Sequence, residues 1–316
     1  MREVGTIEEL WRYPVKSMLG QRLAEAKVDE HGLPGDRRLA LVDRETGRIA
    51  SAKTPRLWRE LLKCVAAIDD GARARDDDAG SGGGGGGGER YGAALAAAAV
   101  RITLPGAKPL WTTDADVDER LSSYTGRSVH LTDTPPEGAT LERSIPDAIL
   151  AAGVNAEVDA ALVEIGSGSP PGTFVDFAPL HLITTSTLDR IAELSPRGAI
   201  EPQRYRPNLV IRTTGRGVAM GDFPATGFLE NDWLGREVRI GPDLLIEIIA
   251  ATPRCAIPTL EHGPLPRDPM ALRTVATHNR IPPLADVAPE PCAGAYARVI
   301  VPGRIEPGDK VLVSVD

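Results

Sequence analysis

The chain has 316 residues, 42% of them apolar and 25% charged, with a net charge of −8; this balance fits a folded globular protein of two domains, or one large β-rich body with insertions, and not a fibrous or disordered chain. The acidic balance disfavours a sequence-independent grip on nucleic acid, and the longest apolar runs, "LLIEIIA" and "AALAAAAVRITL", fall short of the roughly 20 residues of a membrane span. "MREVGTIEELWRYPVKS" has no apolar leader, so the expectation is a cytoplasmic protein with neither nucleic acid nor membrane as partner; the three cysteines, Cys64, Cys255 and Cys292, lack C-x-x-C spacing and read as reduced thiols, not a disulfide framework or zinc site.

From Val4 to Asp43 short alternating runs, "VGTIEELWRYPV", "AEAKVDEHGL" and "RRLALVDRETG", are broken by turn residues at 32–36 and 45–47, which predicts a small antiparallel β unit. "PRLWRELLKCVAAID" reads as a helical turn running into a strand. The tract "GARARDDDAGSGGGGGGGERYG" is low-complexity and predicts a disordered loop over about 71–90, because glycine offers nothing to bury. Glycine templates for nucleotide binding match it trivially, with no strand before it and no Lys-Ser or Lys-Thr after it. "AAAAVRITLPGAKPL" returns as a strand, and "DADVDERLSSYTG" predicts a short amphipathic helix with Val117, Leu121 and Tyr124 on one face.

Residues 132–171, rich in proline, glycine and alanine, predict a long irregular connection. "HLITTSTLDRIAELSP" then gives a strand and a helix, with Ser186 or Thr187 as the cap. "NLVIR", "REVRIG", "LLIEIIA", "YARVIVPG" and "DKVLVSV" are strands set apart by Gly/Pro turns, a spacing that favours a closed or nearly closed barrel over alternating βα units. The division expected is a β-rich N-terminal domain over 1–131, the connection over 132–171, and a barrel domain over 172–316 with N-terminal segments packed on it.

Five places join polar or cationic residues to tight turn chemistry. "YPVKS" presents Lys16 and Ser17, "GLPGDRR" presents Arg37, "HLITTSTL" presents Thr184, Thr185 and Ser186 at a helix start, "RYRPNLVI" presents Arg206 and Asn208, and "ATPRCAIPTL" presents Arg254 and Cys255 between Pro253 and Pro258. Each alone has an ordinary structural reading: a solvated lysine, surface ion pairs, a helix cap, a core thiol. Together, arginines and a lysine at strand ends with an oxygen-rich helix N-terminus suit a phosphate or other anion. The same positive field favours a thiolate at Cys255. Cys64 and Cys292 read as structural.

"YPVKS" with "GLPGDR", then "YRPNLVI", "DWLGREVRIG", "TPRCAIPTL" and "GAYARVIVPGRIEPGDKV", resemble the MOSC family, the molybdenum cofactor sulfurase C-terminal domains, with the β-barrel domain usual at the N-terminus of that family. The resemblance covers nearly the whole chain outside the Gly-rich tract and 132–171. It implies a mainly β fold with some α, a MOSC β-barrel preceded by a smaller β-rich N-terminal domain. It implies a molybdenum–molybdopterin cofactor (Moco), with Cys255 as the molybdenum ligand and catalytic residue and Lys16, Ser17, Arg37, Thr184, Thr185, Ser186, Arg206, Asn208 and Arg254 as pterin and phosphate contacts. Pyridoxal phosphate binding is a further association of the resemblance.

The activity implied is that of the amidoxime reducing component type: reduction of N-hydroxylated or N-oxygenated small molecules. The scattered cysteines cannot hold an iron–sulfur cluster, so electrons are expected from a separate protein, ferredoxin-like, cytochrome b5-like or a flavin reductase. Two alternatives stay open: a sulfur carrier forming a persulfide on Cys255, and a non-catalytic cofactor-binding protein. In "LRTVATHNR", His278 and Asn279 are candidates to line the substrate side, His278 as proton donor or as a structural hydrogen-bond partner.

Overall fold

The computed structural model describes residues 1–68, 98–214 and 227–315. Its centre is a closed barrel of seven strands. Around the barrel run Leu180–Thr184, Leu209–Thr213, Arg2–Arg12, Lys310–Val313, Glu237–Ile240, Leu244–Pro253 and Glu290–Val301, the last pairing back onto the first. Closure leaves no open edge along this ring. Neighbours are antiparallel except Leu180–Thr184 and Leu209–Thr213, which run parallel; a parallel pair needs a crossover, and the helix Thr185–Leu194 lies in theirs.

Alternation, interrupted on the first strand by register shifts between Glu3 and Gly5 and between Ile7 and Glu9, explains the barrel core. Val4, Ile7 and Leu10 turn inward from the first strand to meet Leu182, Ile211, Val238, Ile246, Val311 and Val313, with Trp233 filling the space between them. The long strand Leu244–Pro253 alternates for most of its length and is then continuously buried over 250–252. Its pairing with Glu290–Val301 shifts register between Ile248 and Ala250 and again between Ala251 and Pro253. Such bulges bend a strand and re-aim its side chains, here just before Arg254 and Cys255.

The smaller N-terminal unit has its own core of Val15, Met18, Leu39, Leu41, Trp58, Leu61, Cys64, Ile102, Leu121 and Val129. The "PRLW" stretch does turn helical, over Pro55–Trp58, and reaches the strand Val65–Ile68 through the 3-10 turn Arg59–Lys63. The helix Val117–Thr125 buries Leu121, with Val117 and Tyr124 packed beside it, and stops at Gly126, whose φ of 68° needs a residue without Cβ. The disordered loop expected over about 71–90 lies outside the described residues. Among the described residues no helix is long and apolar enough to cross a membrane.

Three expectations change. Arg2–Arg12 lies within the barrel, between Leu209–Thr213 and Lys310–Val313, so the chain's first strand belongs to the same ring as its last; pairing across some 300 residues leaves no local trace. The stretch 132–171 is not an irregular connection: Thr140–Ser144 pairs with Ala160–Glu164 in a hairpin, and Pro146–Ala152 is a helix between them. Pro146 there sits in the first turn, where its missing N–H has no partner to lose. The helix after "HLIT" is capped by Thr184, whose hydroxyl takes the Thr187 N–H at 3.2 Å, because helical geometry begins directly where the strand ends.

Candidate functional site

Where the barrel meets the N-terminal unit, the turns after Arg2–Arg12 and before Leu209–Thr213 face each other. Ser17 (φ 64°), Arg37 (φ 42°) and Arg206 (φ 55°) are the non-glycine residues of left-handed backbone among the described residues. That conformation costs a side-chain-bearing residue about 1 kcal/mol or more and persists only where the surroundings impose it. The Arg37 N–H is tied to the Tyr13 carbonyl at 2.7 Å, and the Arg206 N–H to that of Gln203 at 3.2 Å.

All three line one cleft, together with Lys16, Asn208, Arg254 and Cys255. The guanidiniums of Arg37 and Arg206 both lie over the Tyr13 ring, 4.5 and 4.4 Å from its centroid. Arg37 is fixed by Asp36 (2.5 Å), the Asn208 amide oxygen (3.1 Å) and the Arg206 carbonyl (2.9 Å). The Arg206 guanidinium donates to the Met18 carbonyl at 2.6 Å. Burial, with Arg37 adding to it, pushes Arg206 down to about 10, which leaves it a cation at neutral pH. Asn208 joins the two halves, accepting from the His181 N–H at 3.1 Å and donating to the Trp11 carbonyl at 3.2 Å.

Arg254 donates to the Tyr205 carbonyl at 2.9 Å and lies 3.4 Å from the Nε2 of His181. Burial first, then Arg254 and Arg37, hold His181 well below the usual imidazole range. Its ring is therefore neutral, with Nε2 accepting from Arg254 and Nδ1 donating toward the Arg206 carbonyl at 3.4 Å. Gly294 makes room for this ring: a Cβ there would stand 2.6 Å from Nε2. Two buried polar atoms at the cleft, Nε of Arg254 and Oγ1 of Thr252, have no hydrogen-bond partner among the described residues. Such atoms are normally satisfied, so they point to a polar ligand.

Cys255 is 6% exposed, between the cleft and an apolar cluster of Ala52, Leu62, Ile149, Val154 and Leu260. A further cation, Arg143, interacts with it electrostatically; its guanidinium is held by Glu290 at 2.5 Å and reaches the Arg254 carbonyl at 3.4 Å. Cys64 and Cys292 are buried, and burial pushes their thiols up to about 11 and about 12, which makes them inert core residues.

Thr184, Thr185 and Ser186 do not join the cleft. The carboxylate of Glu230, 1% exposed, occupies the start of their helix: it accepts from the Thr184 N–H at 2.6 Å and from the Thr187 hydroxyl. Glu230 takes the Thr184 N–H and the Thr187 hydroxyl, and the Thr187 N–H goes to Thr184, so these groups are engaged within the fold. His278 is exposed at a helix end, and Asn279 is a structural tie, donating to the Cys292 carbonyl at 2.7 Å; neither lines the cleft. Lys53, Asp176, His181 and Arg143 escaped the sequence reading. None stands in a recognisable turn motif, and only "HLIT", already singled out for its threonines, held a signal for His181.

Buried histidines make the fold sensitive to acid. His181 is held neutral, and His262 is pushed down to about 3 by burial. Both take up a proton more readily when unfolded, so their contribution is complete above the ordinary imidazole pKa and is lost as pH falls below it. Urea unfolding is expected to show stability dropping by about 1.4 kcal/mol per pH unit for each of them below about pH 6. His262→Gln should roughly halve that slope.

The sequence matches the model of the MOSC domain over residues 170–312 and that of the MOSC N-terminal beta barrel domain over residues 4–72. Among solved structures it is similar to the YUAD protein from Bacillus subtilis, at 11% identity and a TM-score of 0.43, over 100% of this chain and 99% of that one. It is also similar to YiiM from Geobacillus stearothermophilus, at 16% identity and a TM-score of 0.29, over 56% of this chain and 73% of that one. No curated protein matches it. MOSC domains are associated with molybdenum cofactor-binding proteins. With the two matches spanning about two thirds of its length, this chain belongs to the MOSC family and carries a MOSC domain together with a MOSC N-terminal β-barrel domain.

Proposed function

We propose that the protein is a molybdenum cofactor-dependent oxidoreductase that reduces N-hydroxylated or N-oxygenated small molecules with electrons from a separate donor protein. The observation that carries this reading is the gathering of Cys255 with Arg37, Arg206 and Arg254 around one cleft that also holds the partnerless Arg254 Nε and Thr252 Oγ1. Those residues fit the group. A pterin phosphate calls for planar guanidinium donors, the pterin ring has polar edges to satisfy the orphaned atoms, and a soft metal-bound dithiolene suits a thiolate partner.

Arg37 and Arg206 would hold the phosphate, with Ser17 beside them, and Arg254 the polar edge. Cys255 would ligate the molybdenum, giving the site a two-electron redox centre. The left-handed turns keep these donors fixed before anything binds, which lowers the ordering cost of binding. The apolar cluster behind Cys255 keeps water from its far side.

The test is molybdenum and pterin analysis of protein purified from a host that makes the cofactor, followed by turnover of an N-hydroxy compound with a chemical electron donor. Near-stoichiometric metal and pterin with turnover is the expected result. Absence of molybdenum defeats the proposal, and a sulfur atom gained at Cys255 after incubation with a cysteine desulfurase, seen by intact-mass measurement, would establish the sulfur carrier in its place.

A further inference from the structure

The stretch 132–164 lies between the segments matched by the two family models, 4–72 and 170–312, so family membership says nothing of what it presents. It holds seven acidic residues and one basic one, Arg143, in a chain whose net charge is −8. Most of the acidic excess of the protein is therefore gathered on this one hairpin and its helix. The inner strand, Thr140–Ser144, is tied to the N-terminal unit: the Ser144 N–H donates to the Lys53 carbonyl at 3.1 Å, and the Ile49 N–H donates to the Thr140 carbonyl at 3.0 Å. The outer strand, Ala160–Glu164, pairs with the inner one and with no other among the described residues.

In an antiparallel ladder, hydrogen-bonded pairs alternate with unbonded ones. Here the Ile145 N–H goes to the Asp159 carbonyl and the Ile165 N–H to that of Ala139, which with the register makes 159, 161, 163 and 165 the bonded residues of the outer strand. The N–H and C=O groups of Ala160, Leu162 and Glu164 therefore point away from the hairpin, and they have no backbone partner among the described residues. The side chains of these three share one face, on which Leu162 is 58% exposed. A strand edge of this kind is a template for a further strand. Charge decides which strand. Asp159 and Glu164, at the two ends, have no ion-pair partner among the described residues, and Glu142, opposite Leu162, is held by Arg48. A second copy of this chain would bring another Asp159 and Glu164 to the joint with no cation between them, whereas a basic segment brings opposite charges to the same places.

We propose that Ala160–Glu164 is a docking edge for a partner protein, which adds an extended, basic segment to it as a third strand, with an apolar residue beside Leu162 and a cation beside Glu164. The proposal goes beyond the reductase reading and does not depend on it. Arg143, on the inner strand and paired with Ala161, reaches the Arg254 carbonyl. The docked segment would thus be separated by the hairpin alone from the wall of the cleft that carries Cys255.

The probe is the peptide acetyl-Arg-Thr-Val-Thr-Lys-amide, added at low salt to the full chain labelled with nitrogen-15 alanine and leucine. The amide resonances of Ala160 and Leu162 are expected to shift and saturate, those of the barrel core to stay in place, and the affinity to fall several-fold when salt is raised. Glu164→Lys should weaken binding about 5-fold, the scale of an exposed charge pair. Leu162→Pro removes an outward N–H and the exposed apolar side chain but no ladder bond, so the hairpin should hold while the Ala160 resonance no longer responds; if that variant fails to fold, Glu164→Lys still decides. No shift at Ala160 and Leu162 up to about 5 mM peptide, equal shifts with acetyl-Glu-Thr-Val-Thr-Glu-amide, or unchanged binding in Glu164→Lys overturns the proposal. A dimer in sedimentation that Glu164→Lys or Leu162→Pro alters would give the edge to a second copy of the chain and overturn it as well.

Discussion

Replacing Cys255 with serine is expected to leave a folded protein that has lost its molybdenum and at least about 100-fold of its N-hydroxy reduction. Serine is close to cysteine in size, and Cys255 sits at the edge of a cluster whose other members, Leu62, Ile149 and Leu260 among them, keep their packing, so the fold should hold. The hard hydroxyl that replaces the thiolate is a poor partner for a sulfur-bound metal. The magnitude is a lower bound, because removing even an outer partner of a metal ligand costs about 10- to 100-fold. Cys64→Ser, in the separate core of the N-terminal unit, should keep its metal. Metal analysis and turnover of the two variants side by side decide the matter, and a Cys255→Ser protein that still holds molybdenum and turns over would remove Cys255 from the site.

Arg204→Met is expected to cost about 3–5 kcal/mol of stability, because it leaves three carbonyls at the core without their donor, at about 1–3 kcal/mol for each buried unsatisfied group. Arg204 is fully buried. It donates to the carbonyls of Pro258 (3.4 Å), Leu260 (3.2 Å) and Pro266 (2.8 Å) and to the Glu201 carboxylate (2.6 Å). One guanidinium thus ties the turn Ile257–Thr259, next to Cys255, to the turn Pro202–Arg204, next to Arg206. Burial raises the Glu201 carboxyl, and hydrogen bonds from Arg197 and Arg204 more than reverse this, to about 2. The Glu201 contribution is therefore present above the ordinary carboxyl pKa and is lost as pH falls toward 2. Urea unfolding at neutral pH measures the loss. Arg204→Lys should recover only part of it, since an ammonium cannot reach three carbonyls and a carboxylate at once. A loss below about 1 kcal/mol, the scale of an ordinary surface ion pair, would show that the tie is not holding the two turns.

Much of this molecule is legible from local pattern. Alternation in "VGTIEEL", "NLVIR", "REVRIG" and "DKVLVSV" defines strands because the period of two is a property of the extended backbone itself, and Gly/Pro punctuation separates them. The unusual company of Cys255, an arginine and two prolines, marks it out before any fold is known. Lys16, Ser17, Arg37, Arg206, Asn208 and Arg254 stand out for the same reason, each in or beside a turn.

Other features exist only once the ring closes. That Arg2–Arg12 pairs with Lys310–Val313 depends on which strands find one another, and hydrogen bonds between strands are not encoded in either strand's own alternation. The helix start at Thr184–Ser186 resembles an anion site until Glu230, more than 40 residues later, takes the Thr184 N–H and the Thr187 hydroxyl. Lys53 and Asp176 look like ordinary surface charges and become part of the cleft only because folding sets them against Lys16. Sequence by itself determines what each segment can be and which side chains carry chemistry; tertiary structure decides which of them share a space, because burial and charge pairing depend on neighbours that the order of residues does not place.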